Sequence, residues 1–350
     1  MNALMIQGTA SGVGKSVLVA GLCHLLARNG VRVAPFKPQN MSNNAAVTVD
    51  GGEIGRAQAL QAFACGIEPT VHMNPVLLKP EADCTSQLVV RGNVVGKLES
   101  ANFKEDRLQW LSLVLDSFNQ LRDAYDVVLV EGAGSPAEPN LRAGDIANMG
   151  FAEAADIPVW LVGDIDCGGV FASLTGTLNI LSESEQLRVE ALIINRFRGY
   201  MTLLDDGLTW LEQTSGKKVA GVIPWLPLEL PEEDAPFRLG QAEKNSNGQL
   251  HIAVVMYPRA SNLDDLDPLA AEGSVSMRLV NHLPGLSQVC YKHIKRVSQS
   301  CCRIPYAMSQ MQPALVGLDR CRAQSVFYFI NGMIGLGIND QFFLHLRVFY

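Results

Sequence analysis

A glycine-rich stretch close to the start of the chain, GTASGVGKS at residues 8–16, constrains the fold more than any other feature. It follows the apolar run ALMIQG and precedes a stretch of helical character from Lys15 to Asn29. Backbone N–H groups at such a turn bind phosphate oxygens, while the lysine adds a cation and the serine hydroxyl a Mg²⁺ ligand. The sequence therefore predicts a nucleotide-binding phosphate loop formed by Gly8, Thr9, Gly12, Val13, Gly14, Lys15 and Ser16.

Short apolar runs alternate with helical stretches as far as residue 231. The strand candidates are ALMIQG, VRVAPFK, DVVLVEGAG, IPVWLVGDID, VEALIINR and KVAGVIPW. Continuous apolar strands separated by helices are typical of a parallel sheet covered on both faces. We predict an α/β fold with a doubly wound, mostly parallel sheet of the P-loop NTPase type over residues 1–231. A polar segment, 232–250, is the predicted linker, and the strand HIAVVMYP begins an incomplete second domain at 251–280.

Composition limits the class of partner and the compartment. The 350 residues carry a net charge of −7, which argues against nucleic acid as the main partner. The sequence has no apolar stretch long enough to span a membrane and no secretory signal, so we expect no membrane partner and a cytoplasmic protein. The eight cysteines show no C-x-x-C spacing, and we expect them to be reduced.

A second motif, YDVVLVEGAGSPAE at residues 125–138, is an apolar strand that ends in a carboxylate and a glycine turn. Glu131 is expected at the carboxyl end of this strand, beside the phosphate loop, as a Mg²⁺ ligand or a base that positions water. A glutamate at a strand end is otherwise commonly a surface residue. Gly8 stands one place earlier than the strict G-x-x-x-x-G-K-[ST] spacing requires. In this respect the loop is similar to the dethiobiotin synthetase-like branch of P-loop proteins, which includes ATP-dependent enzymes that activate carboxylates.

Several longer motifs, in order along residues 3–235, resemble the N-terminal domain of the cobyric acid synthase family. They are APFKPQNMSNNAAVTVDGGEIGRAQALQA, NPVLLKP, EGAGSPAE, NLRAGDIANMG, GDIDCGGVFASLTGTL and INRFRG. The resemblance implies amidation of the b, d, e and g carboxylates of adenosylcobyrinic acid a,c-diamide, in cobalamin biosynthesis. It also implies ATP and Mg²⁺ as cofactors, acyl phosphate intermediates, and a corrinoid and ammonia as the other reactants.

The same resemblance assigns roles to individual residues. The expected catalytic residues are Lys15, Lys37 and Glu131. The expected metal ligands are Ser16 and Glu131 with either Asp50 or Glu53, between which the sequence does not decide. Asn195 matches the position at which the wider branch hydrogen-bonds adenine, and Arg196 follows it. The expected substrate contacts are Gln39, Asn40, Asn43 and Asn44, for which turn formation is the alternative.

Two departures from the family pattern bear on activity. Cys167 stands where the pattern has an arginine, so a basic contact to phosphate or substrate is expected to be missing. The family continues into a glutamine amidotransferase domain with a nucleophilic cysteine between glycines, and no such motif is found here. Residues 281–350 contain two acidic residues against seven lysines and arginines, and they are predicted to be an atypical, truncated or frame-shifted tail. We therefore expect ammonia, free or from a separate glutaminase, as the nitrogen source.

Other functions remain open at this stage. One is the related a,c-diamide synthase, which acts on two different carboxylates. Another is an inactive protein that binds nucleotide or corrinoid without turnover. A third is a partner-regulating ATPase, although that class usually carries a second lysine early in the loop and residues 8–14 contain none. The sequence leaves the oligomeric state open, a homo-oligomer included.

Overall fold

A computed structural model describes residues 2–82, 85–99, 109–228, 250–255, 266, 268–269 and 272–280. The chain divides into two compact units, Met1–Ala235 and Pro236–Tyr350. The predicted tail, 281–350, and all of the predicted linker except Leu250 lie outside the described residues.

The first unit alternates strands and helices. In chain order its elements are β1 (Ala3–Gly8), α1 (Lys15–Arg28), β2 (Val33–Phe36), β3 (Gln39–Met41), β4 (Ala45–Val47), β5 (Glu53–Gly55), α2 (Arg56–Cys65), β6 (Val76–Ala82), β7 (Thr85–Val90), β8 (Asn93–Glu99), α3 (Leu111–Ala124), β9 (Val127–Glu131), α4 (Pro139–Arg142), α5 (Met149–Ala154), β10 (Val159–Asp164), α6 (Val170–Ile180), α7 (Glu183–Arg188), β11 (Val189–Phe197), α8 (Asp205–Ser215) and β12 (Lys218–Pro224). Two single 3₁₀ turns lie at Val71–Met73 and Met201–Leu203.

Six parallel strands form the central sheet in the order β12-β11-β10-β1-β9-β2. This confirms the predicted α/β fold and parallel sheet, and each predicted strand of the first unit is present. The chain passes from β1 outward to β2, returns to β9 between them, and then continues at β10 on the other side of β1. The carboxyl ends of β1, β9 and β10 therefore surround the crevice where open α/β sheets bind ligands.

Helices cover both faces of this sheet. On one face α3 buries Val114, Phe118 and Leu121, a helical spacing that turns one apolar stripe inward. Phe118 packs against Phe36 and Phe151, with ring centroids 5.4–5.5 Å apart. On the other face a second apolar cluster includes residues from α1 and α2. The two clusters fix the sheet between layers of helix and so fix the ends of its strands.

Two smaller sheets were not predicted from the sequence. Strands β3, β6, β7 and β8 form a four-stranded sheet, and β4 pairs with β5 in an antiparallel hairpin. These strands contain and flank the amide-rich run that follows β2. The backbone N–H of Lys37 donates to Met73 O at 2.8 Å, which ties the start of this run to the neighbouring turn.

In the second unit, β13 (Leu250–Val255) and β14 (Val275–Val280) pair in parallel, from Leu250 with Val275 to Val255 with Val280. Across the described ranges of both units, no helix is long and apolar enough to cross a membrane.

Candidate active site

The phosphate loop is tightly curled between β1 and α1. Gly14 caps the helix with φ +96°, a left-handed conformation that favours glycine. A Cβ on Gly8 would lie 2.5 Å from Val13 Cγ2 and 3.0 Å from Lys15 Nζ, so this position has no space for a side chain. The N–H of Thr9 donates to Val162 O at 2.9 Å and extends the pairing of β1 with β10, so this amide of the loop is already engaged.

Lys15 is buried beside the loop. Its Nζ donates to Ala10 O at 3.0 Å and to Gly134 O at 2.7 Å, so the cation connects the loop to the turn after β9. Asn148 holds that turn from the other side, because its Nδ2 donates to Ala133 O at 2.6 Å while its Oδ1 accepts the Ala133 N–H at 3.1 Å. The ammonium group is therefore fixed by two loops of separate origin.

Glu131, at the end of β9, is the centre of the site and is only 1% exposed. Its Oε1 accepts hydrogen bonds from Ser16 Oγ at 2.8 Å and from Lys37 Nζ at 3.0 Å. Its Oε2 accepts from Gln61 Nε2 at 2.6 Å and from Gln58 Nε2 at 3.4 Å. The structure thus brings Ser16, Lys37 and Glu131, three of the residues selected from the sequence, into direct contact.

The surroundings of Glu131 favour the ionised carboxylate. Burial acts to raise its pKa, but the charge of Lys37 and the hydrogen bonds from Gln61, Lys37 and Ser16 outweigh burial and lower the pKa below its usual range. A buried negative charge is therefore present at neutral pH, balanced by the ammonium of Lys37.

The candidate metal ligands Asp50 and Glu53 each have a partner other than Glu131. Asp50 Oδ2 accepts the N–H of Val71 at 3.2 Å, and Glu53 forms an ion pair with Lys79 at 2.9 Å, so neither of these contacts involves Glu131. Within the described part of the chain, no group of three or more His, Cys, Asp and Glu side chains is placed to hold a metal ion. Ser16 and Glu131 are the pair in contact, which suits Mg²⁺, a metal that takes few protein ligands together with phosphate oxygens and water.

The four predicted substrate residues have different environments. Gln39 and Asn40 are buried, Asn44 is half-buried and Asn43 is exposed. Asn40 Nδ2 donates to Gln58 Oε1 at 3.0 Å, and its Oδ1 accepts the Met41 N–H at 2.8 Å. Asn40 therefore supports Gln58, and its contact with substrate stays a prediction. Asn43 and Asn44 are the accessible members of the set.

Asn195 and Arg196 lie at the end of β11, on the other side of the phosphate loop. Asn195 Nδ2 donates to Val13 O at 2.8 Å, and a Cβ on Gly14 would collide with the same amide. Asn195 therefore supports the loop, and its contact with adenine stays a prediction. Arg196 Nη1 pairs with Asp164 Oδ2 at 2.7 Å, so its guanidinium is directed to β10.

Cys167 follows β10 and is exposed. Its Sγ donates to Asp164 Oδ2 at 3.4 Å, and this hydrogen bond and the carboxylate charge raise the pKa of the thiol. The thiol and Arg196 thus share one carboxylate, and position 167 contributes no positive charge to this edge of the sheet.

Sequence reasoning missed the residues that support the site from behind. Gln58 and Gln61 of α2 contact Glu131, and Asn148 fixes the turn after β9. Gln58 and Gln61 are three residues apart in the run GRAQALQA, a spacing that places them on one face of a helix. The signal available in the sequence was a pair of glutamines at the spacing of one helix face.

Comparison with known proteins gives a family match to most of the first unit. Residues 4–237 match the model of the CbiA domain, described as the CobQ/CobB/MinD/ParA nucleotide binding domain. Among solved structures, the MinD cell division protein of Aquifex aeolicus aligns at a TM-score of 0.38 and 14% identity, over 65% of this chain and 84% of its own length.

Curated relatives are more similar in sequence. The cobyric acid synthase of Halorhodospira halophila is 65% identical over 276 residues, which cover 79% of this chain and 57% of the relative. That of Vibrio parahaemolyticus is 56% identical over 278 residues, again 79% of this chain and 57% of the relative. The chain thus spans a little over half the length of the curated relatives that it matches.

Proposed function

The chain belongs to the CobQ/CobB/MinD/ParA nucleotide-binding family, and from that premise we propose that it is an ATP-dependent amide ligase acting on a corrinoid. The proposed reaction is that of the cobyric acid synthases, amidation of the b, d, e and g carboxylates of adenosylcobyrinic acid a,c-diamide. Identities of 65% and 56% to two such enzymes support this substrate class.

The described residues fit ATP and Mg²⁺. The loop from Gly8 to Gly14 has no space for a Cβ at either of these glycines, which leaves a backbone concavity at the start of α1 for phosphate. Lys15 supplies a cation beside it, and Ser16 with Glu131 would hold the metal. When bound, Mg²⁺ would neutralise phosphate charge and orient the terminal phosphoryl group.

The proposed chemistry has two steps. A carboxylate oxygen of the corrinoid attacks the γ-phosphorus of ATP, the bond to the bridging oxygen breaks, and ADP leaves with that electron pair. Ammonia then attacks the acyl carbon, the C–O bond breaks, phosphate leaves, and the nitrogen loses a proton to give the amide. The carboxylate must be phosphorylated because its own oxygen is a poor leaving group, whereas phosphate is a good one.

The chain's own cations meet the main electrostatic demand of the first step. A carboxylate approaching a triphosphate concentrates negative charge, and fixed positive groups lower the cost of that approach. Lys15 is held by Ala10 O and Gly134 O, and Lys37 by the carboxylate of Glu131. Because both ammonium groups are already oriented, little reorganisation accompanies the reaction.

The observation that carries the proposal is the meeting of Ser16, Lys37 and Glu131 at one buried carboxylate. These residues come from the start of α1, the segment after β2 and the end of β9, and they meet in a buried polar cluster. A buried ion pair is weak support for stability, so its assembly at the end of a parallel sheet points to a binding or catalytic role.

Two further candidates share the same site. An a,c-diamide synthase would use the same phosphate chemistry on two other carboxylates, and a protein without turnover would bind nucleotide or corrinoid only. Cys167, which leaves position 167 without a cation, favours the protein without turnover. The intact contacts of Lys15, Ser16, Lys37 and Glu131 favour the ligase.

The test is amidation of adenosylcobyrinic acid a,c-diamide by the purified full chain with ATP and Mg²⁺, followed by mass spectrometry. Ammonium and glutamine are supplied in parallel, and we expect product with ammonium alone. Lys15→Ala is the matched control and should form no product. Wild-type protein that is folded and binds ATP but forms no amide with either donor would contradict the ligase and favour the binding protein. Product with cobyrinic acid instead of its a,c-diamide would favour the diamide synthase.

A further inference from the structure

The side chain of Gln61 lies completely buried behind the candidate active site, on α2. Its Nε2 donates to Glu131 Oε2 at 2.6 Å, the shortest of the four hydrogen bonds described above for this carboxylate, and to Ser16 O at 3.3 Å. The amide nitrogen of Gln61 therefore contacts the carboxylate of Glu131 and the backbone carbonyl of Ser16. The hydroxyl of Ser16 in turn donates to the other carboxylate oxygen of Glu131.

The amide of Gln61 is oriented so that only its nitrogen has hydrogen-bond partners among the described residues. Its Oε1 is buried and has no hydrogen-bond partner among the described residues. A buried polar atom without a partner costs about 1–3 kcal/mol. Rotation of the amide by 180° would place Oε1 against the carboxylate, so Glu131 dictates which end faces it.

Gln58 reaches the same oxygen from one helical turn earlier but serves two partners. Its Nε2 is 3.4 Å from Glu131 Oε2, while its Oε1 accepts from Asn40 Nδ2 at 3.0 Å. Gln58 therefore belongs to an amide network that includes β3, whereas the side-chain hydrogen bonds of Gln61 within the described residues are with Glu131 and Ser16.

We propose that Gln61 is a positioning residue that holds Oε2 of Glu131 and so keeps Oε1 turned toward Ser16 and the metal-bound nucleotide. The proposal rests on the proposed nucleotide-binding function. With Oε2 fixed, the carboxylate keeps Oε1 at 2.8 Å from Ser16 Oγ, and these two oxygens would hold the metal ion. Groups that orient a metal ligand in this way commonly change metal affinity or activity about 10–100-fold when removed.

The test is Gln61→Met in the full chain, because methionine has a similar length and no amide. Three quantities are measured: ATP affinity in EDTA, the Mn²⁺ concentration that half-saturates the ATP complex by electron paramagnetic resonance, and Tm. We expect unchanged ATP affinity in EDTA and at least about a tenfold higher half-saturating Mn²⁺ concentration. Tm is measured because the substitution also removes a hydrogen bond to a buried carboxylate, and the Mn²⁺ effect is read only from variant protein that remains folded.

The control is Gln186→Met on α7, whose amide donates to Leu181 O at 2.9 Å outside the site and should leave Mn²⁺ affinity unchanged. Gln61→Leu repeats the measurement if the first variant does not fold. Equal Mn²⁺ affinity in wild type and variant would overturn the proposal while leaving nucleotide binding intact. So would a fall in Tm accompanied by equal weakening of ATP binding in EDTA, which indicates a structural role. Wild-type protein that binds no ATP, with or without Mn²⁺, would overturn the proposed function and this inference together.

Discussion

Glu131 holds a negative charge in the protein interior, and four donors from three segments surround its two oxygens. Removing an ion from water costs several kcal/mol, which only close partners can offset. Lys37 is the one cation among these donors, and both side chains of the pair are more than 90% buried. The charge balance of the site therefore depends on a single residue.

Lys37→Met tests this dependence through stability. Loss of the ammonium should lower the free energy of unfolding by about 3–5 kcal/mol at neutral pH, the usual cost of leaving one partner of a buried pair uncompensated. Lys97→Met is the matched control, since its ion pair with Glu81 is largely exposed and should contribute at most about 1 kcal/mol. Urea unfolding of both variants measures the difference.

The pH dependence of the same variant has a defined sign. In the wild type the pKa of Glu131 is lowered, so its stabilising effect is present above the usual carboxyl range and is lost as pH falls through the lowered pKa. Without Lys37, burial dominates and raises the pKa above the usual range. The deficit of Lys37→Met should therefore be largest near pH 8 and shrink toward pH 5. A deficit that stays constant between these values would contradict the charge argument.

At this scale the sequence predicted the polar centre better than its surroundings. Ser16, Lys37 and Glu131 follow a loop or a strand end, and the carboxyl ends of parallel strands meet, so local pattern was sufficient to bring them together. Asn40 and Glu53 were harder to assign, because their partners, Gln58 and Lys79, depend on the small sheet and on α2. Contacts between segments that are far apart in the chain leave no pattern in the sequence around either residue.

At the scale of elements, the tight turn of the phosphate loop limits which side chain position 8 can hold. Gly8→Ala places a methyl group 2.5 Å from Val13 Cγ2, which forces the loop to shift. We expect loss of ATP affinity of at least about tenfold, since backbone N–H groups bind phosphate only when they converge. Gly21→Ala within α1 is the control, because its Cβ meets nothing within 4 Å. It should retain ATP affinity and gain up to about 1 kcal/mol of stability. Equal ATP affinities in the two variants, measured by calorimetry, would contradict a steric requirement at position 8.

The aromatic cluster of α3, α5 and β2 supports the sheet from its other face. Phe118→Ala should lower the free energy of unfolding by about 3–5 kcal/mol, because it leaves a cavity between Phe36 and Phe151. Phe63→Ala makes the same chemical change at a side chain that is 81% exposed and should alter stability by less than about 0.5 kcal/mol. Denaturant unfolding measures the loss of stability in each variant. Similar losses in the two variants would show that the cluster is not part of the stabilising core.

The elements themselves show where sequence patterns succeed. The strands of the central sheet read as continuous apolar runs because helices cover both faces, and the helix of the first motif was predicted within one residue of its observed end, Arg28. Strands β6 to β8 are partly exposed and have no regular alternation of buried and exposed residues, and β3 to β5 have only three residues each. Such strands are defined by their pairing partners, which local periodicity does not give.

At the scale of the whole molecule, the residues of the candidate site all lie in one of the two units. Lys15, Lys37, Glu131 and Asn195 belong to Met1–Ala235, as does nearly all of the family match at residues 4–237. Nucleotide binding should therefore not require the second unit. The predicted linker at 232–250 carries trypsin sites at Arg238 and Lys244, which fall after the last strand of the central sheet.

Limited trypsin digestion should therefore produce a persistent N-terminal fragment that ends at Arg238 or Lys244. Cleavage needs a locally unfolded backbone, and Lys and Arg residues within the packed helices and strands are protected from it. Mass spectrometry identifies the ends, and titration of the purified fragment with ATP measures binding. Affinity within about twofold of the full chain is expected, because every described contact of Lys15, Ser16 and Glu131 is retained. Loss of ATP binding by a folded fragment would contradict nucleotide binding by the first unit alone. First cleavage inside residues 4–228 would contradict the predicted linker at 232–250.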